Sequence, residues 1–211
     1  LSKYRTYTVL SLGCGPSPDL MALEQLNRAD HKNILYSGYD INPYWSNVHK
    51  EIRNYCKQTD NMHCHYKIGD VIDILQYSAE GFANIVVLSY FLSSLPDSER
   101  SLKASFLFDL IISKVIAFKG DEPVLVVIND IDHNTKVRDY FDFFVSKVKQ
   151  AGYQANIQKR HFGDRYGKDY GDGSIQYSSN ANKFTIPNSI SDKYNCAILC
   201  RSAQCIIEVI K

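Results

Sequence analysis

The chain has 211 residues, 45% of them hydrophobic and 22% charged, which is the profile of an ordinary globular protein with room for one α/β core. Its formal net charge is +1, from 24 basic and 23 acidic residues, so a nucleic-acid partner would need a local basic patch rather than a global field. No apolar run reaches the roughly eighteen residues of a spanning helix, and residues 1–7 lack the charged-then-apolar pattern of an export signal, so a cytoplasmic protein without membrane association is expected.

Residues 7–11 form a β-branched, apolar run that predicts a first strand, ended by a Gly/Pro-rich turn. The chain enters this strand almost at once and lacks an initiating Met, so further residues before Leu1 are expected. Leu20, Leu23 and Leu26 then recur at helical spacing, with Ser17 as N-cap and Pro18 in the first helical position. Residues 34–39 predict a second strand ending on Asp40. Residues 45–56 predict a helix with Val48, Ile52 and Tyr55 on one face. A third strand over residues 62–68 leads into Gly69-Asp70. Residues 85–88 are continuously apolar, as expected of a central parallel strand covered on both sides. A helix over 106–118, a buried strand over 124–128 and an amphipathic helix over 137–148 follow.

After Gly152 the alternation stops. Residues 153–159 predict a strand, and about thirty residues rich in Gly, Asp, Tyr, Ser and Asn come next without periodicity. Residues 196–200 and 205–210 then read as strands joined by a tight turn near Ser202-Ala203. The fold class expected is α/β, doubly wound, with a mostly parallel seven-stranded sheet, helices on both faces and a C-terminal antiparallel hairpin, in one domain spanning 1–211. The cysteines, Cys14, Cys56, Cys64, Cys196, Cys200 and Cys205, sit in apolar or strand-like segments and read as reduced, mostly buried thiols.

The chemistry concentrates at the strand ends. In Val9-Leu10-Ser11-Leu12-Gly13-Cys14-Gly15-Pro16 an apolar strand runs into a glycine pair and then a helix. Gly13 permits a sharp backbone turn, Gly15 the close approach of a ligand, and the helix start offers free N–H groups. Asp40, in Tyr39-Asp40-Ile41-Asn42, stands where a carboxylate accepts both hydroxyls of a ribose diol. Asp70, in Ile68-Gly69-Asp70-Val71, stands where one accepts an adenine amino group. Each feature alone also fits a plain tight turn or a helix cap. Pro18 occupies the third glycine position of the dinucleotide fingerprint, which argues against an NAD-linked oxidoreductase.

Together these residues resemble the class I, Rossmann-like S-adenosylmethionine-dependent methyltransferases, over about residues 7–150 in element order. The specific motifs lie at residues 12–19, 40–42, 70–71 and 88–95. The resemblance implies S-adenosylmethionine as cofactor, with Gly13, Cys14, Gly15 and Pro16 under its methionine and ribose parts. It implies Asp40, Ile41 and Asn42 around the ribose, Asp70 and Val71 at the adenine, and Asp19 orienting the amino-acid end. Ser89 and Tyr90 would line the pocket beside the reacting methyl group. The activity implied is methyl transfer to an unidentified acceptor, a small molecule in preference to nucleic acid or protein. The alternative is a catalytically inactive, methyltransferase-like regulatory or scaffolding subunit.

Tyr90, Asp132 and His133 are the candidate catalytic residues, the last two because they follow the fifth strand of the sheet, where either could take a proton from an acceptor and where His133 equally fits a helix cap. A base is needed only when the nucleophile starts protonated, so the lack of a catalytic dyad is no objection. No metal site is expected. In His63-Cys64-His65 the two histidines share a strand face, with no second ligand pair at zinc spacing, and a polar edge strand explains them. Residues 159–170 mix Lys, Arg, His, Phe and Tyr and offer a possible nucleic-acid contact, diluted by Asp164 and Asp169. The segment from about 161 to 182 is expected to cover or line the acceptor site.

Overall fold

The computed structural model describes residues 3–77, 83–118, 122–131, 137–162, 175–177 and 202–211. Along the chain run β1 (Thr6–Leu12), α1 (Pro18–Asn27), β2 (Asn33–Asp40), α2 (Ser46–Cys56), β3 (Met62–Ile68), α3 (Val71–Tyr77) and β4 (Ile85–Ser89). Then come α4 (Arg100–Lys114), β5 (Val124–Ile131), α5 (Asp139–Gln150), β6 (Gln154–Phe162), β7 (Ile175–Tyr177) and β8 (Ser202–Ile210). Among the described residues the strands form one sheet in the order β3-β2-β1-β4-β5-β8-β6-β7. Strands β1 to β5 pair in parallel, and β8 lies antiparallel between β5 and β6. Seven strands make the body of the expected fold, and β7 adds three residues beside β6.

Side-chain alternation along the strands divides the core into two layers. Tyr7, Val9, Ile34, Tyr36, Ile85 and Val87 pack with Leu20 and Leu23 of α1 and Cys56 of α2. Leu10, Leu12, Val86, Leu88, Val126 and Ile128 pack on the other face with α3, α4 and α5. The inner strand β4 buries four consecutive residues, as its apolar run predicts. Strand β3 is an edge, and His63 and His65 stand exposed on it, which accounts for their polarity. Strand order reverses between β1 and β4, so the C-terminal ends of those strands open a crevice.

Several expectations are corrected. Ser17 does not cap α1: its backbone is left-handed (φ 59°) and its side chain makes no capping bond. Leu26 points outward, 65% exposed, so α1 is anchored by Leu20 and Leu23. Helix α2 turns His49 and Cys56 inward, whereas Val48 and Tyr55 are partly exposed. Helix α4 spans Arg100–Lys114, with a 3-10 turn over Ile116–Phe118, rather than 106–118; its first turns bury only Arg100 and Ala104, too thin a pattern to show as periodicity. No turn forms at Ser202-Ala203. Both residues lie in β8, opposite Ile131 and Asp130, and this pairing overrides their local turn preference. Cys14, Cys56 and Cys205 are buried, as expected, and Cys64 is half-buried. Cys196, Cys200, Asp132, His133 and most of 161–182 lie outside the described residues.

Candidate functional site

Strand β1 delivers the chain into a loop that only a glycine-rich sequence adopts easily. Gly13 and Gly15 both have positive φ, 71° and 50°. The amides of Gly13 and Cys14 donate to the Tyr39 carbonyl at 2.8 and 3.0 Å, which ties the loop to the end of β2. The two glycines differ in surroundings. A Cβ on Gly13 would lie 2.7 Å from Phe91 Cδ2, whereas one on Gly15 would meet nothing nearer than Trp45 Nε1 at 3.9 Å.

The strand-end carboxylates do local work as well. Asp40, 8% exposed, accepts the Gly15 amide at 2.7 Å on Oδ2 and the Asn42 amide at 2.8 Å on Oδ1. Each oxygen keeps lone-pair capacity for another donor. Asp70 accepts the Ile72 amide on Oδ1 at 2.8 Å, and its carbonyl accepts that of Ile74 at 2.9 Å, so it caps α3. The helix-cap reading and the cleft position coexist in this residue.

Beneath the loop lies a packed layer that the sequence did not reveal. His49 Nε2 is 2.7 Å from the Gly15 carbonyl, and its buried Nδ1 meets no hydrogen-bond partner, so the proton is assigned to Nε2. The imidazole stacks on Tyr66, with centroids 4.0 Å apart and planes 5° off parallel. Gly38 makes room for this layer, since a Cβ there would fall within 2.8 Å of the Tyr66 ring and 2.9 Å of Cys14 Sγ. Burial pushes the Cys14 thiol up to about 12, so it is no nucleophile near neutral pH. Asp19 turns inward, both carboxylate oxygens taking the Tyr36 hydroxyl at 3.0 and 3.2 Å. Burial raises its carboxyl above the usual range.

The opposite wall follows β4. Tyr90 sits at φ 55°, a left-handed conformation uncommon for a non-glycine residue, and its amide donates to the Asn129 carbonyl at 2.7 Å. A short 3-10 turn, Leu92–Ser94, comes next. Buried Asp130 accepts its Ser93 amide at 3.0 Å, and Arg100 reaches its carbonyls from α4.

The two walls enclose a cleft of about 540 Å³, a volume typical of small-ligand sites. Gly13, Cys14, Gly15, Pro16, Asp40, Ile41, Asn42, Asp70, Val71, Ser89 and Tyr90 all line it. Pro18, Trp45, Ile72, Phe91, Lys103 and residues 94–96 complete the lining, and Asp19 is absent from it. His49, Arg100 and the buried role of Asp130 escaped sequence reasoning. Only Asp130 left a signal, an acid two residues beyond the end of an apolar run. Of the basic-aromatic segment, Lys159 is paired with Asp142 at 2.9 Å and residues 163–170 lie outside the described part.

No family model matches the chain, and no curated protein matches it in sequence. Its fold does recur among solved structures. A Galdieria sulphuraria protein provisionally described as a sarcosine dimethylglycine methyltransferase superposes with a TM-score of 0.50 at 13% identity, over 98% of this chain and 79% of its own. Haemonchus contortus phosphoethanolamine N-methyltransferase 1, in complex with phosphoethanolamine and S-adenosylhomocysteine, gives 0.50 at 14% identity, over 99% and 37%. A provisionally described transferase from Pyrococcus horikoshii gives 0.50 at 12% identity, over 98% and 58%. Identities this low establish architecture alone: the chain has the Rossmann-like α/β fold of S-adenosylmethionine-dependent methyltransferases.

Proposed function

We propose that the protein binds S-adenosylmethionine in this cleft and transfers its methyl group to a small-molecule acceptor. The observation that carries the reading is convergence. Residues singled out as a cofactor constellation, Gly13–Gly15, Asp40, Asp70 and Tyr90 among them, come from four separate strand ends and line one cleft at the reversal of strand order.

The residues fit the group in chemical type. Asp40 offers its free lone pairs to ribose hydroxyls, and the space beside Gly15 is open where a Cβ would otherwise project. Asp70 offers an acceptor to an adenine amino group, with Val71 and Ile72 as apolar neighbours. When bound, the sulfonium supplies an electrophilic methyl carbon. What this chain would add is alignment and exclusion of water, with Tyr90, 42% exposed at the cleft, facing the side from which an acceptor approaches. Two structural neighbours are named for small acceptors, phosphoethanolamine in one case and sarcosine with dimethylglycine in the other, which supports a small molecule here. A cytoplasmic location stays part of the proposal. Among the described residues no helix is long and apolar enough to cross a membrane.

Calorimetric titration with S-adenosylmethionine, S-adenosylhomocysteine and NAD tests the cofactor. Saturable binding of both sulfur nucleotides and none of NAD is expected, and the reverse pattern overturns the proposal. Trp45, the chain's one tryptophan, lines the cleft and gives the same titration an intrinsic fluorescence signal. Methyl-labelled cofactor offered with a panel of small amines, alcohols and thiols then separates an enzyme from a regulatory subunit, which would bind without transfer.

A further inference from the structure

We propose that Asp130 is a positioning residue of the cleft: its buried carboxylate on the Ser93 amide, with Arg100 on the same turn's carbonyls, fixes residues 90–96 as the far wall. Neither Asp130 nor Arg100 lines the cleft. That this wall faces a cofactor rests on the function proposed above, whereas the clamp is a property of the ligand-free chain.

Asp130 is 0% exposed, near the end of β5. Its Oδ1 accepts the Ile131 amide at 2.7 Å and its Oδ2 the Ser93 amide at 3.0 Å. A buried carboxylate is retained only where donors replace its water, and one of these donors lies 37 positions away on the cleft wall. Arg100, also buried, holds the opposite polarity of the same turn. Its Nε donates to the Leu92 carbonyl at 2.9 Å and its Nη2 to those of Leu95 and Ser93 at 2.8 and 3.4 Å. Its Nη1 lies 2.6 Å from Asp97 Oδ1. Amides and carbonyls of one short turn are thus gripped by two buried charged groups from separate elements.

The preceding residue explains why such a grip is needed. Tyr90 holds a left-handed backbone at φ 55°, a conformation that persists only when its surroundings over-determine it. The Asn129 carbonyl takes its amide, so consecutive residues of β5 brace both Tyr90 and Ser93. A loop closed merely to connect β4 with α4 needs neither strain nor buried charge. A wall that must stay in place while its cleft fills and empties gains from both.

The test uses the full chain in four forms: wild type, Asp130→Asn, Asp130→Ala, and Val145→Ala as a buried α5 control away from the cleft. Amide exchange is followed in the peptide over residues 90–96 without ligand, and S-adenosylhomocysteine affinity is measured well below each melting point. We expect exchange at 90–96 to quicken at least tenfold in both Asp130 variants. Affinity should fall about tenfold or more in Asp130→Ala and less in Asp130→Asn, which keeps one acceptor oxygen. Val145→Ala should lower the melting temperature and leave both readouts as in wild type. If Asp130→Ala does not fold, Asp130→Asn decides. Unchanged exchange at 90–96 in a folded Asp130 variant overturns the clamp, as does an equal affinity loss in Val145→Ala. A wild type that takes up no S-adenosylhomocysteine refutes the cofactor reading instead, and exchange at 90–96 alone then decides the clamp.

Discussion

The two walls of the cleft are built by different means. The near wall, residues 13–16 with Asp40, is mainly a backbone solution: two positive-φ glycines and loop amides bonded to the Tyr39 carbonyl, with the Asp40 carboxylate as its one side-chain tie. The far wall, residues 90–96, is a side-chain solution, with ordinary residues held by Asp130 and Arg100 reaching in from β5 and α4. A wall made of backbone leaves a motif, because few residues other than glycine adopt its dihedrals. A wall held by long-range side chains leaves none, because many chain positions can supply a carboxylate.

The comparison is broken most forcefully at Asp40, the one buried carboxylate that both fastens a wall and lines the cleft among the described residues. Asp40→Ala is expected to cost about 2–4 kcal/mol of S-adenosylhomocysteine affinity, roughly thirty- to several-hundred-fold, since hydrogen bonds to a charged acceptor contribute about 1.5–3 kcal/mol each and do not add fully. The melting temperature should fall too, because the Gly15 and Asn42 amides lose their acceptor. Calorimetry on the folded variant checks both parts. A wild-type dissociation constant would mean that Asp40 serves only the loop and that the ribose is held elsewhere.

A smaller effect separates the two glycines. Gly13→Ala meets both a strained φ and a 2.7 Å overlap with Phe91, a residue of the far wall. A loss of about 2–4 kcal/mol of stability is expected from left-handed strain plus overpacking. Gly15→Ala meets only the strain, about 1–2 kcal/mol, because the space around it is open. Its larger effect should fall on nucleotide affinity. Denaturant melts and titrations of both variants measure the difference. Equal stability losses would show that the contact between the walls at Gly13 and Phe91 contributes little.

What was legible in the sequence follows the same division. Gly13, Gly15, Asp40 and Asp70 could be located because parallel strands end at one crevice and each residue stands at or just beyond the end of a predicted strand. His49 could not, because the apolar residues of α2 pointed to a face through Val48 and Tyr55, while stacking on Tyr66 rotates a polar histidine inward. Asp130 was visible as an acid after a strand, but its burial was not. The apolar run stops at Ile128, and pairing with Ser202, Ala203 and Gln204 carries β5 on to Ile131. Ser17 read as a helix cap by residue type alone, a signal blind to its left-handed backbone.

The smallest expected effect concerns a second carboxylate of the near wall. Asp19 stands one turn beyond the loop with its side chain on the Tyr36 hydroxyl rather than in the cleft. Burial raises its carboxyl, opposed by the hydrogen bond from the Tyr36 hydroxyl. The folded chain therefore holds this proton more tightly than the unfolded chain does. Below the ordinary carboxylate range, about pH 4, Asp19 is protonated in both states and contributes no penalty. As pH rises through the raised folded value the folded state must ionise a buried group, and the penalty reaches its full size above that value. Asp19→Asn removes the charge and keeps an acceptor for Tyr36. It should be more stable than wild type at pH 7, with the gap closing as pH falls toward 4, in denaturant titrations at a series of pH values. Because the side chain is outside the cleft lining, S-adenosylhomocysteine affinity should stay within about twofold of wild type, well under the tenfold that each 1.4 kcal/mol represents. A variant that is less stable at pH 7 and recovers in acid would mean that Tyr36 stabilises the charged form. The near wall would then be braced by a second buried carboxylate beside Asp40, and the contrast between the walls would lie in the glycines alone.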